Sequence, residues 1–166
     1  MANKPNITAE YIRSIMEYDP ETGIFTWKLR LSNRTKIGNE AGSIDKSGYK
    51  KISFKNIDLY CHRLSFLYVN GEWPSLQVDH INGNRSDNRF CNLRLVSKNQ
   101  NMHNMKSKKT NKLKIKGVSK RGNKYFSQIV KSNKTFCLGY FDCPAAASFA
   151  YQIAADVHFG EYARPF

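Results

Sequence analysis

The sequence predicts an α+β protein built from two modules. Short apolar runs of strand length recur between Gly, Asn and Pro punctuation. Other segments carry apolar residues at helical spacing. The charge is divided sharply along the chain. Of 27 Lys and Arg in 166 residues, 14 fall in residues 88–141, which hold no Asp or Glu, and the other 13 balance the 13 acids. The net charge of +14 therefore lies in one stretch. That points to a polyanionic partner, of which nucleic acid is the commonest. A hydrophobic content of 40% with 13% aromatics is too high for a disordered basic tail.

Other classes drop out. No run of 18 apolar residues could form a transmembrane helix, and MANKPNITAEY has no apolar signal-peptide core. Cys61, Cys91, Cys137 and Cys143 form no CxxC pair, which argues against a four-cysteine zinc site and against a secreted disulfide framework. The expectation is a reduced, cytoplasmic protein with no membrane partner.

The elements follow in order. Thr8 can cap a helix over AEYIRSIMEY, with Ile12, Ile15 and Met16 at helical spacing, ending at Asp19-Pro20. IFTWKLR reads as a strand after Gly23. KKISF and IDLY read as a hairpin turning at Asn56. HRLSFLYV, with Leu64, Leu67 and Tyr68 at helical spacing, reads as a helix stopped by Asn70-Gly71 and Pro74. Leu76–Val78 is a strand, followed by a polar Asn/Asp/Gly loop and a second strand at Leu93–Val96. Ser97 with Gln100 matches a capping box, so a helix should begin near Lys98. Past the linker KSKKTNKLK come strands at Gly117–Ser119, Lys124–Val130 and Thr135–Phe141. The turns between them hold Arg121-Gly122-Asn123 and Ser132-Asn133. PAAASFAYQIAADVHF then opens on Pro144 at a first helical position and stops at Gly160. His158 suits the C-terminal end of that helix dipole.

Asp79-His80, Asn92 and Asn101 form the candidate catalytic constellation. Phosphodiester hydrolysis needs a water, a base to take its proton, and a cation to hold charge on the phosphate and the leaving oxygen. Imidazole titrates near neutrality, so His80 can be the base. A carboxylate and an amide oxygen, from Asp79 and Asn101, suit Mg²⁺ or Mn²⁺ better than zinc. One cost is visible, because successive strand residues point to opposite faces. Asn82, Asn84, Asp87 and Asn88 read as loop side chains that satisfy backbone groups.

DHINGNRSDNRFCNLRLVSKNQNMHN resembles the HNH motif of the ββα-metal nucleases, closest to phage and intron homing endonucleases. YDPETGIFTW, GYKKISF and CHRLSFLYVNGEWP resemble the region before that motif in phage HNH proteins. The resemblance implies that His80 is the general base and that Asn92 ties down the loop and orients the base. It also implies that Asp79 and Asn101 hold one Mg²⁺ or Mn²⁺ per active site. Met105 stands where some relatives carry a further His, and His103 falls on the opposite helix face. His62 reads as a cap or packing residue, with contact to DNA near the scissile phosphate as its functional alternative. Arg63 has a phosphate-steering alternative of the same kind.

KGVSKRGNKYFSQIVKSNKTFCLGYFDCPAAASFAYQIAADVHFGEYARPF resembles the AP2 DNA-binding domain, through Gly117-Val118, Tyr125 to Ile129, Leu138-Gly139 with Phe141, and the Ala-rich helix. The resemblance implies a three-stranded antiparallel sheet with one packed helix. Ile129 turns toward the helix, while Phe126, Gln128 and Val130, with Thr135 and Cys137, turn toward double-stranded DNA. Gln can pair with adenine and a Thr methyl can touch a thymine methyl. Arg121 sits where the family places a DNA-contacting Arg. Lys116, Lys120 and Lys124, with Lys106, Lys108 and Lys109 of the linker, complete the expected DNA contacts. The expected layout is a nuclease domain at 1–105, a basic linker at 106–115 and an AP2-like domain at 116–166. The expected activity is a site-preferring nick by a monomer; a double-strand break would need a dimer or two events. The rival readings are a catalytically silent DNA binder that keeps the fold, and an RNA-directed protein whose aromatics stack on single strands.

Overall fold

The computed structural model describes residues 7–33, 35–54, 57–98, 100–101 and 111–163. The chain divides into two compact units, Met1–Lys98 and Asn99–Phe166.

In the first unit, helix α1 spans Ala9–Ile15, and the Thr8 hydroxyl accepts from the Tyr11 amide at 3.2 Å. The helix is shorter than its apolar spacing predicts. Met16–Asp19 is strand β1, paired antiparallel with β2 at Ile24–Trp27. Tertiary pairing wins there because β1 alternates, burying Met16 and Tyr18 and exposing Glu17 and Asp19. Asp19 closes the turn by accepting from the Glu21 amide and the Thr22 hydroxyl at 2.9 and 2.8 Å. Gly23 follows at φ +72°. A second sheet joins β3 (Ser43–Ile44), β4 (Lys50–Phe54) and β5 (Ile57–Tyr60). The chain then enters helix α2, Cys61–Asn70, which Gly71 ends in the left-handed conformation at φ +85°.

Helix α2 serves two cores. Cys61, Leu64 and Leu67 join Ile12, Ile15, Met16, Phe25, Trp27 and Ile52 in the larger one. Phe66 packs with Val78, Leu93 and Phe90 in the smaller. That smaller core supports β6 (Gln77–His80) and β7 (Leu93–Val96), an antiparallel pair joined by the Asn/Asp/Gly loop. Asp79 and His80 thus end strand β6, at the strand end where the sequence places them. Lys98, Gln100 and Asn101 have helical backbone.

The second unit holds β8 (Val118–Arg121), β9 (Lys124–Lys131) and β10 (Lys134–Phe141) in antiparallel order β10-β9-β8. Ser132 and Asn133 both have positive φ, 50° and 61°, as a two-residue hairpin turn of this twist requires. Helix α3 runs Pro144–Phe159, matching the expected span, and packs Tyr151 and Ala155 on Ile129. His158 stands in its last turn. No helix among the described residues is long and apolar enough to cross a membrane. All four cysteines are free, Cys61 buried and the others exposed.

Candidate active site

The β6–β7 pair sets the register of the site. Asp79 lies across from Arg94 and His80 across from Leu93. Their side chains leave the ladder on opposite sides and find different neighbours. Asp79 is 8% exposed. Its Oδ2 accepts from both Nε and Nη2 of Arg94 at 3.0 Å. A buried carboxylate needs such a partner.

His80 is 4% exposed and sits in a ring cluster. The His62 ring centroid is 5.2 Å away, edge to face, and Tyr49 is 6.0 Å away. Tyr60 stacks on His62 at 5.5 Å. His80 Nε2 lies 3.2 Å from Oδ1 of Asn88, which is itself fully buried. Burial holds the His80 imidazole below its ordinary value; the Asn88 contact and the Asp79 and Asp87 carboxylates pull the other way. The Asp79 carboxylate therefore acts on His80 electrostatically despite its opposite orientation. His62 is pushed down to about 3, by burial first and then by its neighbours His80 and Arg63. Its Nδ1 is buried with no hydrogen-bond partner among the described residues. His62 is thus packed beside His80.

The loop between the strands is held by Asn92. Its Oδ1 accepts from the Asn82 amide at 3.0 Å, and its Nδ2 donates to Asn82 Oδ1 and to the Asp87 carbonyl at 3.1 and 2.9 Å. Asn92 ties the loop, while the side chain that reaches His80 is that of Asn88. Arg89 grips Asp87 with two bonds at 2.8 and 2.7 Å and holds its carboxyl down to about 2. Arg85 donates to the Ser47 carbonyl at 2.9 Å and lies 4.7 Å over the Tyr49 ring. From the other side, the Tyr18 hydroxyl donates to the Asn88 carbonyl at 2.7 Å and the Phe90 amide to Pro20 at 3.0 Å. A Cβ on Gly23 would fall 2.3 Å from the Arg89 nitrogen. The β1–β2 turn is thus pressed against the loop that carries Asn88.

Sequence reasoning missed Asn88 and Arg94. Nothing local distinguishes Asn88 from other loop amides. Arg94 was legible only through register, as the residue facing Asp79. Arg63 donates to the carbonyls of Pro74 and Leu76 at 3.0 and 3.3 Å, which braces the chain after α2. Asn101 is half-buried in helical backbone of the second unit.

The oxygen donors suit a hard cation. A carboxylate and an amide oxygen leave most of a Mg²⁺ shell to water and phosphate. The Arg94 guanidinium on Asp79 shows that this carboxylate already draws a positive charge. No cluster of three His, Cys, Asp or Glu able to hold a metal occurs among the described residues.

In the second unit, register puts Ser119, Phe126 and Tyr140 in one row, Gln128 opposite Cys137, and Val130 opposite Thr135. This face lies opposite Ile129 and the helix. Phe126 lies on this face beside Ser119 and Tyr140. It is 7% exposed, with the Arg121 guanidinium 4.1 Å over its ring and Tyr140 at 4.9 Å. It is a platform under Arg121, and the more exposed aromatic is Tyr140. Lys124 pairs with Asp142 at 3.0 Å, both exposed; such a pair is worth little and yields easily to a phosphate. Gln128 and Lys116 are half-buried, and Lys120 and Thr135 are exposed. Lys106, Lys108, Lys109, His103 and Met105 lie outside the described residues.

Residues 59–103 match the family model described as HNH endonuclease. A relative in Acanthamoeba polyphaga mimivirus, named as an uncharacterized HNH endonuclease, is 34% identical over 124 residues, 74% of this chain and 64% of its own length. No solved structure matches the chain.

Proposed function

We propose that this chain, which carries an HNH endonuclease domain at residues 59–103, is a metal-dependent endonuclease that hydrolyses a phosphodiester of duplex DNA. One observation carries the reading. A buried, hydrogen-bonded imidazole, His80, sits next in the chain to a buried carboxylate, Asp79, inside the matched segment.

His80 takes a proton from water. The water oxygen bonds to phosphorus as the bond to the 3′ oxygen breaks, and the leaving oxygen takes a proton from solvent. Asp79 and Asn101 would hold one Mg²⁺ or Mn²⁺, which when bound supplies Lewis-acid stabilisation of charge on the phosphate and leaving oxygen. Asn92 keeps the loop closed behind the base. Burial disfavours the charged form of the imidazole.

The second unit is read as an AP2-like module that delivers the nuclease to a preferred duplex. Arg121, Lys120, Lys124, Gln128, Thr135 and Lys116 make its contacts, with Lys106, Lys108 and Lys109 of the linker on phosphates. The homing-type and phage-type assignment, and the nick by a monomer, belong to this reading. A second reading is a silent DNA binder. The Arg94–Asp79 pair favours it, because the carboxylate is already engaged by a cation of the chain itself.

The test is conversion of supercoiled plasmid to open circle with Mg²⁺ or Mn²⁺, using wild type and His80→Ala. The nuclease reading expects nicking by wild type alone. No nicking by wild type, or equal nicking by both, selects the silent binder. Competition with RNA completes the test: preference for RNA would overturn the choice of substrate.

A further inference from the structure

We propose that Arg85 grips the non-bridging oxygens of the DNA phosphate that is cleaved, and so brings a fixed positive charge of the chain itself to the transition state. The role rests on the nuclease reading of the same site.

Arg63, Arg85, Arg89 and Arg94 all lie on or next to the β6–β7 pair and its loop, and Arg85 stands apart from the rest. Arg94 is paired with the Asp79 carboxylate and Arg89 with Asp87. Arg63 has both of its Nη groups on main-chain carbonyls. Arg85 is exposed and forms no ion pair among the described residues. Its Nη1 donates to the Ser47 carbonyl at 2.9 Å. Among the described residues its Nε and Nη2 have no hydrogen-bond partner. Those two nitrogens form the edge of a guanidinium that meets two oxygens side by side, as Arg94 meets Asp79.

The unpaired charge is nevertheless held in place. The guanidinium carbon stands 4.7 Å over the Tyr49 ring. Ser47 and Tyr49 belong to the β3–β4 turn, where Asp45 Oδ1 accepts from both their amides at 2.8 and 3.1 Å. At the root of the side chain, Asn84 Oδ1 accepts from the Ser86 amide and hydroxyl at 3.2 and 2.9 Å. Ordering an arginine costs up to about 2 kcal/mol of rotamer entropy. A cation already ordered loses little more on meeting an anion.

The place fits the reacting phosphate. The Tyr49 ring centroid is 6.0 Å from that of His80. The Arg85 guanidinium carbon therefore lies within about 11 Å of the His80 ring, about the span of imidazole, water, phosphate and guanidinium in line. Negative charge on the non-bridging oxygens is drawn to a cation fixed beside them, and a planar fork holds two of them at once. Arg85 would touch the reacting group, so it is a catalytic residue in this scheme.

The test uses the full chain in two assays. The first is duplex DNA binding by fluorescence anisotropy, free of metal, over a salt series. Arg85→Ala should make the slope of log Kd against log salt shallower by about one, the loss of one phosphate contact, and Arg85→Lys should keep it. The second is plasmid nicking with Mg²⁺ or Mn²⁺. Arg85→Ala should lower kcat about 10²-fold with a much smaller change in KM. Arg85→Lys, which keeps a cation on a similar stem and loses the fork, should fall between Arg85→Ala and wild type. Added methylguanidinium should restore part of the rate to Arg85→Ala, beyond the effect of equal sodium chloride, which a purely structural arginine would not allow. An unchanged salt slope in Arg85→Ala overturns the proposal, and so does nicking by Arg85→Ala or Arg85→Lys at the wild-type rate. A shallower slope in a protein that never nicks DNA keeps the phosphate contact and overturns the nuclease reading.

Discussion

Replacing Gly23 by Ala should damage the site from 57 residues away in sequence. At φ +72° a Cβ would stand 2.3 Å from the Arg89 nitrogen, 2.4 Å from the Asn88 carbonyl carbon and 2.8 Å from its oxygen. All three are main-chain atoms, so no side chain can swing aside. Ordinary contacts of this kind are about 3.5 Å, and the loop must move by about 1 Å. The left-handed conformation alone costs an Ala about 1–2 kcal/mol. The shift also loosens the bonds from Tyr18 to Asn88 and from Phe90 to Pro20, at about 1 kcal/mol each. Gly38→Ala is the matched control, with φ +80° and nothing within 4 Å of the added Cβ. Gly23→Ala should therefore lose about 3–4 kcal/mol and Gly38→Ala about 1–2 kcal/mol. Both tryptophans, Trp27 and Trp73, lie in the first unit, so their fluorescence in urea follows that unit alone. Nicking should fall about a hundred-fold in Gly23→Ala, as a misplacement of about 1 Å implies, and stay near wild type in Gly38→Ala. Equal stability loss and equal activity in the two variants would refute the claim that the hairpin buttresses the loop.

Arg94→Met should cost about 3–5 kcal/mol, since it removes the cation paired with the buried Asp79 carboxylate. Adding Asp79→Asn should recover part of that loss, which a double-mutant cycle by urea denaturation would measure. The His62 imidazole is pushed down to about 3, so below pH 6.5 the unfolded chain gains a proton that the folded one refuses. Stability is then full above that pH and falls by about 1.4 kcal/mol per unit on acidification. Melts between pH 7 and 5 should show a shallower slope in His62→Gln. DNA affinity should fall about 10³-fold between 50 and 200 mM salt if six phosphates are neutralised, as fluorescence anisotropy would report.

Much of the fold was legible because its signals are local. Helix α3 carries Pro144 at its start and Gly160 at its end, and its span matches the reading residue for residue. The β6–β7 strands follow from apolar runs around a loop of Asn, Asp and Gly. Helix α1 was overdrawn because Met16 suits helical spacing and strand alternation equally. Its pairing with Trp27 decided between them, and pairing is not written in a window of ten residues. The same limit applies at the site. Residue type and spacing single out Asp79 and His80. The partner of each is chosen by register or loop closure, so Arg94 and Asn88 emerge only in three dimensions. Phe126 alternates as expected, yet its burial under Arg121 depends on a neighbouring strand.

The pressing of the β1–β2 turn against the loop bears on how far this chemistry could be transplanted. The matched segment, residues 59–103, leaves out Tyr18, Pro20 and Gly23. A graft cut at its borders would carry Asp79 and His80 and lose the wall behind their loop. The smallest portable unit therefore reaches back at least to β1, some sixty residues before Asp79. The wall meets the loop through carbonyls and amides of Asn88, Arg89 and Phe90 rather than through their side chains. Arg85 and Arg89 direct their side chains elsewhere, to Ser47 and Tyr49 and to Asp87, so the path of the chain beneath them is set by main-chain contacts.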